Sequence, residues 1–180
     1  MQGENWSQDY YLKAYKFAAQ AHLGQVVPGT AIPYLMHLTF VSIEVIGALR
    51  FEPGRDEDLA VQCALLHDVL EDTQAQYSDL SAQFGVQVAE GVLALTKDSR
   101  QPKEAQMQDS LRRIRLQPPE IAMVKLADRI TNLQPPPAHW GAEKIQAYQL
   151  EAIDILSALG SASRYLATRL GEKIPDYHTV

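Results

Sequence analysis

Leu59-Ala60-Val61-Gln62-Cys63-Ala64-Leu65-Leu66-His67-Asp68-Val69-Leu70-Glu71-Asp72 is the stretch on which the reading of this chain turns. Leu59, Cys63, Leu66 and Leu70 recur at helical spacing, as do Ala60, Ala64, His67, Asp68 and Glu71. The pattern predicts one helix from about Glu57 to Asp72, with an apolar stripe and a second stripe of small and ionisable residues. His67 and Glu71 are i and i+4, and so are Asp68 and Asp72. An imidazole and three carboxylates within two turns repel and resist burial unless a cation compensates. Carboxylates near a helix C-terminus also oppose the macrodipole, at about 0.3–1 kcal/mol each. At average composition, a His-Asp pair followed two residues later by Glu-Asp arises by chance on the order of once in a thousand chains of this size. A solvated helix end is therefore the weaker reading, and a site the stronger.

Outward from this stretch the periodicity is helical almost everywhere. Ser7 caps a helix running to about His22, and the glycine- and proline-rich segment Gly24 to Pro33 is a loop. Leu38, Val41, Val45, Ile46 and Leu49 mark a helix from Met36. Phe51 to Asp56 reads as a turn. Two more helices start near Ser78 and Val86, parted by Phe84-Gly85. Ser99 to Gln108 is polar and reads as a mobile connection. Pro118-Pro119 opens a helix reaching about Leu133, stopped by Pro135-Pro136-Pro137. Ile145, Tyr148, Ala152, Ile155, Leu156 and Leu159 define a last long helix, with a break at Gly160. No alternating strand pattern competes, so the fold class is all-α, a helical bundle around a site.

Composition narrows the function. One domain spanning residues 1–180 accommodates the length. The net charge of −6 argues against sequence-independent nucleic-acid binding, which relies on Lys and Arg. A small anionic ligand stays compatible, because a bound divalent ion reverses the local field. The single cysteine, Cys63, permits no internal disulfide and fits a reducing compartment. MQGENWSQDYY has no basic start followed by an apolar run, so no secretory signal is expected. No apolar run approaches the roughly 20 residues of a membrane span. A cytoplasmic protein is expected.

A second aspartate supports a site. In Val124-Lys125-Leu126-Ala127-Asp128-Arg129-Ile130, Asp128 falls on the apolar stripe of Ile121 and Val124. An aspartate there is rare unless it is bound to metal or paired with Lys125 or Arg129. His37 opens the helix after the loop; alone, it reads as a satisfied core or capping histidine. Together His37, His67, Asp68 and Asp128 make a mixed N/O donor set, suited to a five- or six-coordinate ion such as Mn²⁺ rather than a closed structural zinc. Such an ion acidifies water and clamps a phosphoryl oxygen, with Glu71 and Asp72 beside it to orient the water or move its proton.

These residues resemble a family. Ala21-His22-Leu23-Gly24-Gln25, Pro33-Tyr34 and His37 are similar to the opening motif of the small alarmone hydrolases of the RelA/SpoT homologue family, within the HD-domain phosphohydrolases. Ala64 to Thr73 resembles the HD motif with its acidic pair, and Phe84-Gly85 with Val86 and Val88 the segment after it. Val124 to Arg129 with Asn132-Leu133 resembles the last metal motif. The likeness covers about residues 10 to 160. It implies one Mn²⁺ per chain held by His37, His67, Asp68 and Asp128, catalysis by Glu71 and Asp72, and a nucleotide contact from Asn132. Further substrate contacts map to Lys103, Lys144 and Tyr148, which read equally as two surface lysines and a core aromatic. The implied activity is hydrolysis of the 3′-diphosphate of purine alarmones such as (p)ppGpp or (p)ppApp, with release of pyrophosphate. With no synthetase domain following, a stand-alone hydrolase is expected, whose partner is a small nucleotide, with neither nucleic acid nor membrane.

Two departures bear on specificity. Where the family places an Arg-Lys pair after Gly-Gln, this chain has Val26-Val27-Pro28, and no Lys or Arg follows until Arg50. The proline after the histidine is replaced by Leu38. Other readings are an HD phosphatase acting on another nucleotide or a phosphorylated cofactor, and a module that senses nucleotides without turnover. Glu71 and Asp72 speak against the sensor, which has no use for an acidic pair.

Overall fold

The Ser7 side chain accepts a hydrogen bond from the Tyr10 N–H and starts α1, Gln8–Ala21, as the N-cap spacing predicts. The computed structural model describes residues 6–136 and 139–178. After α1 come α2 (Leu35–Leu49), α3 (Glu57–Leu66), α4 (Val69–Asp72), α5 (Tyr77–Phe84), α6 (Val86–Leu95), α7 (Lys103–Ile114), α8 (Pro119–Asn132) and α9 (Ala142–Leu159). A 3₁₀ turn, Gly160–Ala162, leads into α10 (Arg164–Asp176). The all-α class holds. The loop 24–33 is pinned by one isolated antiparallel bridge, Val26 to Pro33.

Two expectations are corrected. The helix read as continuous from Glu57 to Asp72 breaks at His67 and Asp68, where Asp68 has φ −100° and ψ −3°. That conformation, sparsely occupied and frequent at sites, re-aims the two side chains out of the helical register. Both stripes of α3 are covered: every residue from Leu59 to Leu66 is buried. Ser99 to Gln108 is not a loop throughout, because α7 starts at Lys103. Its buried Met107, Leu111 and Ile114 follow helical spacing among charged neighbours, which hid the pattern. The sequence reading also passed over α10, capped by Ser163 and buried through Leu166, Leu170 and Ile174. The proline run does follow the end of α8, although Pro137 lies outside the described residues.

α3 and α8 form the centre. α3 packs against α1, α2, α6 and α8, and α8 also meets α2, α9 and α10. Twelve of the fourteen residues of α8, from Glu120 to Thr131, are buried. Gly91 lets α6 approach this pair: a β-carbon there would lie 2.5 Å from Ile121 Cδ1 and 3.0 Å from Cys63 Sγ. A bundle so packed carries the ends of α2, α3 and α8 to one place, and each end brings an ionisable side chain.

Candidate metal centre

His37 comes from the first turn of α2, His67 from the C-cap of α3, and Asp128 from the last turns of α8. All three are buried, and one donor atom of each lies within 4.8 Å of the others. His67 Nδ1–H donates to the Ala64 carbonyl at 2.8 Å. A carbonyl only accepts, so Nδ1 carries a proton, and in the neutral ring it is the Nε2 lone pair that points to the cluster. That Nε2 is buried without a hydrogen bond. It lies 3.0 Å from Asp68 Oδ2, although Asp68 is not part of the group of three. Asp68 Oδ2 is also 3.7 Å from His37 Nε2, and Asp128 Oδ1 is 3.4 Å from it.

The electrostatics ask for positive charge here. Burial works against a charged His67 ring, but Asp68 and then Asp128 outweigh it and push its pKa up to about 9. Burial likewise opposes ionisation of Asp68, yet His67 holds it down to about 2. Asp128 is held well below the usual carboxylate range: Lys125 and the two histidines overcome its burial. A divalent cation satisfies the same field, and the orphaned Nε2 gives it a donor. The residues present fit an ion bound by imidazole and carboxylate.

Known proteins resemble this chain along most of its length. The HD-domain sequence profile matches residues 14–165. The human guanosine-3′,5′-bis(diphosphate) 3′-pyrophosphohydrolase MESH1 is 31% identical over 166 residues, which cover 88% of this chain and 89% of that protein. The enzyme of the same activity name from Aquifex aeolicus is 31% identical over 125 residues, 68% of this chain and 17% of that longer protein. A solved structure, described as a metazoan ortholog of SpoT that hydrolyses ppGpp and plays a role in starvation responses, superimposes with a TM-score of 0.80 at 25% identity. It covers 96% of this chain and 97% of its own. The chain belongs to the HD-domain family, among its small alarmone hydrolases. The HD domain carries a divalent-metal site, and the His37, His67 and Asp128 group matches one.

Around this HD cluster the remaining expected residues fall into two sets. Asn132 Nδ2 donates to Asp128 Oδ1 at 2.6 Å, so this nucleotide-contact candidate also holds a metal-site carboxylate. Glu71 Oε2 accepts from the Lys97 N–H at 2.9 Å, anchoring the acidic pair to the connection after α6. The Asp72 carboxyl is raised by partial burial, then by Asp68 and Glu71. Tyr148 is half-buried, with the Arg129 guanidinium 4.1 Å from its ring centroid, so α9 joins the site through the neighbour of Asp128. Lys144 is exposed and lies 4.0 Å over the Trp140 ring. Lys103 is exposed at the start of α7 and bonds to none of these residues among those described.

One residue of the centre escaped the sequence reading, and a second, Lys125, was expected only as an alternative to a metal. Tyr34 had no role, yet its hydroxyl donates to Asp68 Oδ2 at 2.6 Å while its ring lies between His22 and His37, with centroids 5.1 and 5.3 Å away. Burial and Asp68 push this phenol far above its usual range, so it stays protonated, a donor. Its spacing of three residues before His37 was the available signal. Lys125 was weighed as an ion partner in place of a metal; Nζ in fact bonds Asp128 Oδ2 at 3.0 Å while Oδ1 faces the histidines, so pairing and metal site coexist.

Proposed function

We propose that this chain is one hydrolase domain that removes the 3′-diphosphate of purine alarmones such as (p)ppGpp or (p)ppApp, with one Mn²⁺ held by His37, His67, Asp68 and Asp128. The observation that carries the reading is the buried, hydrogen-bond-free Nε2 of His67 beside two carboxylates. It occurs in a chain whose full-length relatives are named for this reaction. Mixed imidazole and carboxylate donors with water positions left over favour Mn²⁺ over structural zinc.

When bound, the ion acidifies a water and neutralises charge on a phosphoryl oxygen. The chain's own groups move the protons. Asp72, with its raised carboxyl, is a stronger base than an ordinary aspartate and takes a proton from the attacking water. Glu71, fixed by the Lys97 N–H, orients that water. The water oxygen bonds to the phosphorus that carries O3′, the bond from that phosphorus to O3′ breaks, and pyrophosphate leaves. Asp72 passes its proton to O3′. Asn132, Lys103, Lys144 and Tyr148 contact the nucleotide.

Base recognition departs from the family. Val26 is 43% exposed on the pinned loop, where the Arg-Lys pair would begin. Arg129 does not swing in as a substitute, because it is buried between Tyr148 and Glu151. Apolar packing then replaces guanidinium stacking, which supports relaxed base choice or a preference for adenosine alarmones. Among the described residues no helix is long and apolar enough to cross a membrane, and a cytoplasmic setting belongs to this reading. The test is turnover with Mn²⁺ across guanosine and adenosine 3′,5′-polyphosphates. Pyrophosphate release from a 3′-diphosphate is expected. Its absence from every such compound, or phosphate release from nucleoside monophosphates instead, overturns the reading.

A further inference from the structure

Four of the chain's 16 Lys and Arg residues line one cleft of about 510 Å³, formed by the end of α6, the connection after it and α7. Lys97, Arg100, Arg112 and Arg113 share it with Asp98 and Asp109, so four positive charges meet two negative ones. That is a local reversal in a chain of net charge −6. Arg113 is committed to the wall. Its guanidinium donates to the carbonyls of Leu93, Ala94 and Thr96 and to Asp109, closing the C-terminal end of α6. Arg100 bonds Asp98 and Arg112 bonds Asp109, and both are exposed, with side-chain accessibilities of 89% and 67%. Lys97 Nζ has no ion-pair or hydrogen-bond partner among the described residues.

The cleft adjoins the acidic pair. Leu70 lines it, next in sequence to Glu71, and the Lys97 backbone that contributes to it donates to Glu71 Oε2. An anion in the cleft therefore sits beside the acidic pair, and none of the clustered His37, His67 and Asp128 lines it. Guanidinium forks suit phosphate oxygens, and aspartate partners hold them in place without neutralising the set. The loop 24–33, by contrast, offers no Lys or Arg.

We infer that this cleft is a second phosphate subsite, which takes the 5′-diphosphate of the substrate while the 3′-diphosphate lies at the metal centre. The inference rests on the proposed function and specifies which end of the nucleotide each part of the site holds. The two diphosphates leave different carbons of one ribose, so one molecule presents an anion to each place. The subsite favours nucleotides that carry phosphate at both ends.

The probe is guanosine 5′-diphosphate, which has the 5′ group and cannot be turned over at the 3′ position. It is expected to bind the intact protein in a calorimetric titration, and Arg100→Ala/Arg112→Ala to bind it at least five-fold more weakly. In turnover, that variant is expected to raise KM for ppGpp at least five-fold, with kcat within two-fold. Kinetics on guanosine 3′-diphosphate with a free 5′-hydroxyl stay as in the unsubstituted protein. Equal affinity for guanosine 5′-diphosphate, no binding at all, or equal losses on both substrates overturn the subsite. Inhibition by guanosine 5′-diphosphate that is not competitive with ppGpp also overturns it, by pointing to a separate effector site. If no 3′-diphosphate is hydrolysed, the proposed function fails, and the titration still decides the cleft.

Discussion

Lys125 Nζ and Asp128 Oδ2 lie 3.0 Å apart on successive turns of α8, both buried, so one carboxylate serves a lysine with one oxygen and the histidine pair with the other. Removing Asp128 therefore removes two things. Asp128→Asn is expected to abolish metal binding and turnover with the fold retained. Asp128→Ala adds an unpaired buried ammonium, a cost of about 3–5 kcal/mol. Metal content by elemental analysis, with thermal unfolding of both variants, checks this; full metal occupancy in Asp128→Asn would show that the ligand set is wrong.

Tyr34→Phe deletes the hydroxyl that holds Asp68 and leaves the aromatic packing with His22 and His37 in place. Loss of such a supporting hydrogen bond weakens metal affinity by about 10–100-fold. Competition with a chelator measures it. An unchanged affinity removes Tyr34 from the metal centre.

Glu71→Gln and Asp72→Asn are expected to keep the metal and slow turnover by roughly 10²–10⁴-fold, the scale of proton-transfer catalysis. Asp72 acts as the carboxylate, and its pKa is raised. Protonation on the acid side therefore silences it at a higher pH than an ordinary aspartate, and the rate climbs as pH rises through that raised value. Near-normal turnover in both single variants, or an acid limb that persists in Asp72→Asn, would take the proton transfer away from this pair.

The apolar loop sets the expectation for the base. A guanidinium stacked on a purine contributes about 0.5–2 kcal/mol, or about 2- to 30-fold in affinity. Val26 provides none of it, so kcat/KM for ppGpp is expected to be no greater than for its adenosine counterpart. Val26→Arg is expected to raise the guanosine value within that range. A clear guanosine preference in the unsubstituted protein contradicts the idea.

Gly91→Ala places a β-carbon 2.5 Å from Ile121 Cδ1 and 3.0 Å from Cys63 Sγ. Overpacking of this kind destabilises by about 1–3 kcal/mol. Denaturant unfolding reads the loss, and unchanged stability would mean that α6 shifts freely away from α8.

The linear chain determined the all-α class and most of the helices, and it singled out His37, His67 and Asp128, which the fold brings together. Apolar spacing reports burial, and an aspartate on the apolar stripe of α8 or a His-Asp pair followed by Glu-Asp marks a cost that only a partner removes. α7 and α10, whose apolar stripes are clear but whose overall composition is polar, escaped because their few buried residues are diluted by charge, and only packing against neighbours makes those residues decisive. Tertiary structure alone decided the break at His67 and Asp68, the sharing of Asp128 between Lys125 and the histidines, and the hydrogen bond from Tyr34 to Asp68. It also gathered Lys97, Arg100, Arg112 and Arg113 on one cleft. These relationships join residues 3 to 91 positions apart, or set the direction in which a side chain points. Periodicity along one helix carries information about its buried face, and none about which other helix end arrives opposite it.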